Sequence, residues 1–153
     1  MNYKQLKKDW IEKGEIPEWY STNSLKFFLN KYSFGGESVK SRDLAIAKYL
    51  AEHAPDVKPE WWEKDSYTEG LTWEEVFFKL MYVDGFAVPS TPLKANAGVP
   101  ERGTTVSCSR QYIENNIASK YLNNAETAIF TKLSHGCSVT IDDWLAEGDP
   151  IGE

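Results

Sequence analysis

Histidine, cysteine and methionine each occur only twice in this chain, and no apolar run approaches the ~20 residues a membrane span requires. The two histidines, His53 and His135, are far apart and neither sits in an HxxH or HExxH pattern, which excludes the common helical metal motifs. Two cysteines, Cys108 and Cys137, are too few for a disulfide framework and lack zinc-ligand spacing. No basic excess exists either. The net charge of −6 argues against a nucleic-acid surface, which needs clustered lysine and arginine. Lys4, Lys7, Lys8 and Lys13 alternate with acids and read as a solvated helix face. No apolar signal-peptide segment follows Met1, so the expectation is a cytoplasmic protein with reduced thiols, without membrane or nucleic-acid partners.

What is present points to a packed protein. Six tryptophans and a 41% hydrophobic content in 153 residues suffice for a real core. A first helix is expected over Tyr3–Lys13, stopped by Gly14 and Pro17. A second runs from about Asn23 to Tyr32, capped by Asn23 or Ser24, and a third from Arg42 to His53 with Ser41 as its cap. Leu44, Ile46, Ala47 and Leu50 form the expected apolar stripe of the third. Trp61 and Trp62 lie in a possible short helix before Thr68. Thr72-Trp73-Glu74-Glu75 is a capping box, so a helix starts at Trp73, burying Val76, Phe77, Leu80 and Met81.

The stretch from Phe86 to Cys108 breaks the helical run. Pro89, Pro92 and Pro100, with Gly98 and Gly103, feed a β-favouring segment, Thr104–Tyr112, which carries Ser107-Cys108. Such a segment suits a ligand-facing loop better than a plain linker. A long helix follows over Asn115–Leu133, with Ile117, Tyr121, Leu122, Ala125, Ala128, Ile129 and Leu133 at helical spacing. Asn123, Asn124, Glu126 and Thr127 fall on its opposite, wet face. Cys137–Ile141 reads as a second strand. The fold class is thus mainly α with a short α/β part: helices over residues 1–85, then strand–helix–strand over 86–153. Such a unit is parallel by default, and two strands alone leave unpaired edges.

Val88-Pro-Ser-Thr-Pro-Leu-Lys-Ala-Asn-Ala-Gly98 and Arg102-Gly-Thr-Thr-Val-Ser-Cys108 resemble a block of the ribonucleotide reductase catalytic subunit. There a P-[ST]-T-P…N-x-G loop precedes a strand ending in Ser-Cys. The family's next features are a helix, a Lys/Arg-x-Gly-x-Gly turn and a Gly-x-Pro-Ile segment. They match Asn115–Leu133, Lys132-Leu-Ser-His-Gly136 and Gly148-Asp-Pro-Ile151 in the same order. Gly14–Trp19 and Ser41–Ala45 are similar to the helical domain ahead of the family's ten-stranded α/β barrel.

The resemblance implies a helical N-terminal domain followed by the first β-α-β of that barrel. It also implies radical reduction of ribonucleotides at the 2′ carbon. Cys108 matches the first member of the redox cysteine pair. Thr91 and Ser107 match substrate-binding positions, as do Ser134, His135 and Gly136 in the turn, and Asn115 lies where an allosteric effector is contacted. Ser134 replaces the family's first turn glycine, Asn115 a frequent aspartate, and Leu145 a common arginine.

The radical cysteine, its partners and the second redox cysteine lie beyond residue 153 in the family, and no ATP cone precedes the helices. The implied partner is a polypeptide carrying the remainder of the barrel, from a split gene of the kind least surprising in phage. No cofactor is implied in this chain. The assembled enzyme needs a radical source, either a metal-radical small subunit or adenosylcobalamin. It would also use a thioredoxin- or glutaredoxin-type reductant and an ATP or dNTP effector. Two other readings stand beside this one: a non-catalytic binding or regulatory module with the same fold start, and a small thiol oxidoreductase pairing Cys108 with Cys137.

Overall fold

A computed structural model describes residues 2–133, 135–144 and 146–149. The Gly148–Ile151 block falls partly outside these residues, and Ser134 and Leu145 wholly so. Helix dominates. The elements are α1 (Tyr3–Glu12), α2 (Thr22–Lys31), α3 (Val39–Glu52), α4 (Trp73–Phe78), α5 (Thr91–Asn96), β1 (Cys108–Tyr112), α6 (Ile117–Lys132) and β2 (Gly136–Thr140). No helix among the described residues is long and apolar enough to cross a membrane.

Side-chain caps set most helix starts, and two differ from expectation. The Ser21 hydroxyl, not Asn23 or Ser24, accepts the amide of Ser24 and caps α2. The Ser38 hydroxyl accepts the amide of Ser41, so α3 begins at Val39 rather than Arg42. Each real cap lies three residues before a serine that looked the part, Ser24 or Ser41, because a cap bonds forward to the N3 amide. The capping box at α4 is complete, with Thr72 and Glu75 bonding reciprocally. Thr72→Ala should therefore cost about 1 kcal/mol in urea unfolding, and no measurable loss would show that tertiary packing alone holds the turn.

The core has two neighbouring clusters. Ile16, Leu25, Phe28 and Val39 join α2 to the start of α3, with Leu6, Trp10 and Ile11 of α1 packed against them. Ile46, Ala47, Met81 and Ala97 join α3 to the segment after α4 and to the end of α5. Leu44 is partly exposed, whereas Arg42 and Asp43 are buried, so α3 turns a charged pair inward. Val76 and Met81 are buried as expected; Phe77 and Leu80 are only half-buried.

After Phe78 the helix widens into a π turn, Lys79–Val83, closed by the Asp84 amide donating to the Lys79 carbonyl. Two side chains pin this turn to the N-terminal segment. The Trp19 indole donates to the Val83 carbonyl at 3.3 Å, and the Tyr82 hydroxyl to the Gly14 carbonyl at 2.6 Å. Gly85, at φ 66°, lies against the Trp19 ring, where an added Cβ would come within 3.0 Å. This turn launches the extended stretch from Phe86 to Ser90 toward α5.

The sheet has two parallel strands, Cys108 opposite Gly136 through Tyr112 opposite Thr140. β1 is shorter than expected and starts at Cys108, since Thr104–Ser107 make no ladder with β2. Helix α6 covers one face, and it does so with the side expected to be wet. Asn123 is buried, and Gln111 of β1 bonds both Glu126 and Thr127 at 2.9 Å. Ile117, Tyr121, Leu122 and Ile129 point away and are 57–69% exposed. Helical periodicity marked the stripe correctly but not its partner. The polar side meets the sheet; on the apolar side Ile117 and Tyr121 share a cavity with Trp144 and residues 146–149, and Leu122 and Ile129 stay exposed.

Candidate functional site

Cys108 opens β1, and its local geometry follows from the strand period of two. Cys108, Arg110 and Tyr112 share one face, while Ser109 and Gln111 face α6. Parallel partners in register point the same way, so Gly136, Ser138 and Thr140 join the Cys108 face and Cys137 lies on the α6 side. Cys108 is an exposed free thiol; Cys137 is partly buried, with its sulfur 3.9 Å from the Ser109 hydroxyl. The two thiols occupy opposite faces of one thin sheet. That geometry removes the basis for pairing them in a small thiol oxidoreductase.

Glycine at 136 is what lets the thiol lie across the strands. A Cβ there would sit 3.0 Å from the Cys108 sulfur. Gly136→Ala should leave the unfolding midpoint almost unchanged, because the sulfur is the mobile end of an exposed side chain. The methyl must turn that thiol, so the alkylation rate of Cys108 should change several-fold. An unchanged rate would mean that the thiol does not rest over Gly136.

The approach to the strand is held from behind. The Gly136 amide donates to the Ser107 carbonyl at 2.8 Å, which brings Ser107 and Cys108 against the start of β2. His135 is buried, its Nδ1 donating to the Val106 carbonyl at 2.9 Å and its ring 5.0 Å from that of Phe130. A carbonyl can only accept, so the Nδ1 tautomer follows, and Nε2 is left buried without a partner among the described residues. Ser107, Cys108, His135 and Gly136 thus converge. Ser134 lies outside the described residues.

Thr91 and Asn115 lie elsewhere. Thr91 begins α5, exposed, its hydroxyl 3.2 Å from that of Tyr32 on the C-cap of α2. Asn115 is exposed beyond the far end of β1, one residue before Asn116, which caps α6. Under the Thr91 loop, Lys94 donates to Asp43 in a buried ion pair, and Arg42 donates to the Ala97 carbonyl while pairing with Glu37 at 3.5 Å. Burial holds the Asp43 carboxyl above its usual range against the pull of Lys94 and Arg42. Beside the pair is a cavity of about 270 Å³ lined by Trp19, Tyr20, Tyr32, Asp43, Val88 and Lys94. Burial, then the Asp43 charge, pushes the Tyr20 phenol up to about 12.

Sequence reasoning missed this support. The support depends on contacts across more than fifty residues, which no local pattern carries.

The sequence matches no protein-family model and no curated protein. Among solved structures, the fold is similar to the α subunit of an Actinobacillus ureae class Id ribonucleotide reductase, with a TM-score of 0.68 and 26% identity over 89% of this chain. It is a likeness to part of a larger chain. The matched region is 23% of that subunit. The similarity supports a segment of ribonucleotide reductase type, mainly helical and ending in a small parallel sheet.

Proposed function

We propose that this chain is a segment of a ribonucleotide reductase catalytic subunit that acts after assembly with the rest of an α/β barrel. The observation that carries the proposal is the combination of the reductase likeness with an exposed thiol on the uncovered face of a two-stranded parallel sheet. In this reading residues 86–153 are the start of the barrel and residues 1–85 the helical domain that supports it. Further strands would pair with the free edges of β1 and β2, and the exposed Leu122 and Ile129 of α6 would gain a neighbour.

Within that assembly Cys108 is the reducing thiol. Its proton goes to the departing 2′ hydroxyl, which leaves as water. Its sulfur ends in a disulfide with a second cysteine from the partner polypeptide, the two thiols together supplying two electrons. A radical source on another subunit or cofactor initiates the reaction. Thr91, Ser107 and the turn at Ser134, His135 and Gly136 orient the ribonucleotide, and Asn115 marks the effector side. In this reading the gene is split, and the cytoplasm supplies the reduced thiols and the thioredoxin-type reductant that the reaction needs.

The test is reconstitution. This chain, mixed with a polypeptide carrying the remaining barrel, a radical source and a dithiol, should co-elute with that polypeptide and form deoxyribonucleotides from ribonucleotides. Neither co-elution nor product would overturn the proposal.

A further inference from the structure

The cavity beside the Lys94–Asp43 pair is bordered by polar atoms that the fold leaves unused. Asp43 is 3% exposed and Lys94 9%, yet both line the open space. Only Oδ1 of Asp43 accepts from the Lys94 ammonium. Its Oδ2 has no hydrogen-bond partner among the described residues, and it is not sealed in protein as Arg42 Nε and His135 Nε2 are. That oxygen therefore borders the cavity. The Lys94 ammonium has three protons and makes no second hydrogen bond among the described residues. A buried acceptor and a buried donor thus stand side by side without further partners.

The surroundings restrict what could use them. The charges here balance, Asp43 against Lys94 and Glu37 against Arg42, so a charged ligand would enter with its desolvation cost uncompensated. A neutral ligand fits. The rings of Trp19, Tyr20 and Tyr32 line the space, and aromatic faces and edges favour a flat aromatic ring. An acceptor beside a donor is complemented by a donor beside an acceptor, which on such a ring is an amino group next to a ring nitrogen. The volume of about 270 Å³ lies just under the roughly 300–1,000 Å³ of drug-sized pockets, which limits the ligand to one or two rings. Val88, 88% exposed, marks the mouth.

We propose that this cavity binds a neutral, planar aminoheteroaromatic molecule, its amino group donating to Asp43 Oδ2 and its ring nitrogen accepting from Lys94. Such a ring would bridge the segment before α2, which carries Trp19 and Tyr20, to Asp43 of α3 and Lys94 of α5. It uses no residue of the Cys108 face and does not depend on the reductase reading.

The test titrates 2-aminopyrimidine, pyrimidine and aniline into the isotope-labelled full chain and follows the indole N–H signals by NMR. Trp19 lines the cavity and its indole donates to the Val83 carbonyl, so its signal is the reporter. Trp19→Phe assigns that signal by its loss, and those of Trp61 and Trp73 are the remote controls. 2-Aminopyrimidine should shift the Trp19 signal saturably with a Kd on the order of 1 mM, as suits so small a ligand. Pyrimidine lacks the donor and aniline the acceptor, and each should bind at least roughly tenfold more weakly, because a buried charged group is left unpaired. The double variant Lys94→Met, Asp43→Leu should lose the preference for 2-aminopyrimidine.

No saturable shift in the wild type would overturn the proposal. So would equal binding of the three probes, which would make the cavity a mere apolar hole. This wild-type comparison decides the matter even where the double variant fails to fold. A preference that survives in the folded double variant would also overturn it. Failure to reconstitute reductase would count against the reductase reading alone and leave this site standing.

Discussion

Lys94→Met should lower the unfolding free energy by about 3–5 kcal/mol, the range seen when one partner of a buried ion pair is removed. The side chains of Lys94 and Asp43 are only 11% and 4% exposed, so solvent cannot replace the lost cation. The damage extends beyond one contact. This pair ties α5, which Thr91 begins, to α3, with Lys94 also lying 5.9 Å from the centre of the Phe28 ring of the first core cluster. Urea unfolding gives the number. The double variant Lys94→Met, Asp43→Leu should recover part of the loss, because no uncompensated charge then remains. A single-variant cost below about 1 kcal/mol would show that Arg42 alone balances Asp43, and would remove the pair as the anchor of the loop.

The pH dependence of that variant has a definite sign. Burial already raises the Asp43 carboxyl above 3.8, and loss of Lys94 takes away the first force opposing it. A carboxyl whose folded-state pKa is raised contributes stability that is full below its unfolded value and lost as pH rises through the folded one. The deficit of Lys94→Met relative to the wild type should therefore shrink on acidification toward pH 4. A deficit that grew instead would mean the carboxylate has found another cation.

Cys108→Ser should abolish turnover in the reconstituted assembly, by on the order of a thousandfold or more, while changing the stability of the chain by no more than about 0.5 kcal/mol. Serine can pass a proton but cannot end in a disulfide, so the two-electron reduction has no source. The small stability change follows from exposure, since Cys108 lies on an uncovered face and packs under no helix. Cys137→Ser is the control. That thiol lies on the opposite face, toward α6, and its loss should leave most of the activity. If Cys108→Ser turned over normally, the thiol would have no part in the chemistry. If Cys137→Ser were as inactive, the opposite-face geometry would be wrong.

Much of the secondary structure was legible because its causes are local. The end of α1 before Gly14, the capping box at Thr72 and the extended run into Cys108 each depend on residues within one turn or one strand. The caps of α2 and α3 were misplaced by a few residues for an equally local reason: several serines compete in each stretch, and only backbone geometry selects Ser21 and Ser38. The larger error concerned α6. Its apolar stripe was identified correctly, yet the sheet took the side of Glu126 and Thr127 instead, because Gln111 on β1 offers hydrogen bonds to both. Periodicity identifies an amphipathic helix; it does not say which of its faces the neighbouring element will take.

The sequence by itself determined the helical lead, the Pro/Gly-broken loop, and a strand that carries a thiol, since these follow from spacing, caps and turn residues along a short stretch. Only the tertiary structure decided that Cys108 is exposed beside Arg110 and back-to-back with Cys137, and that Lys94 reaches Asp43 from fifty-one residues away. The reason is physical. Register and burial are set by which surfaces meet, and the meeting of distant segments depends on the energy of the whole packed arrangement rather than on any one segment's preferences.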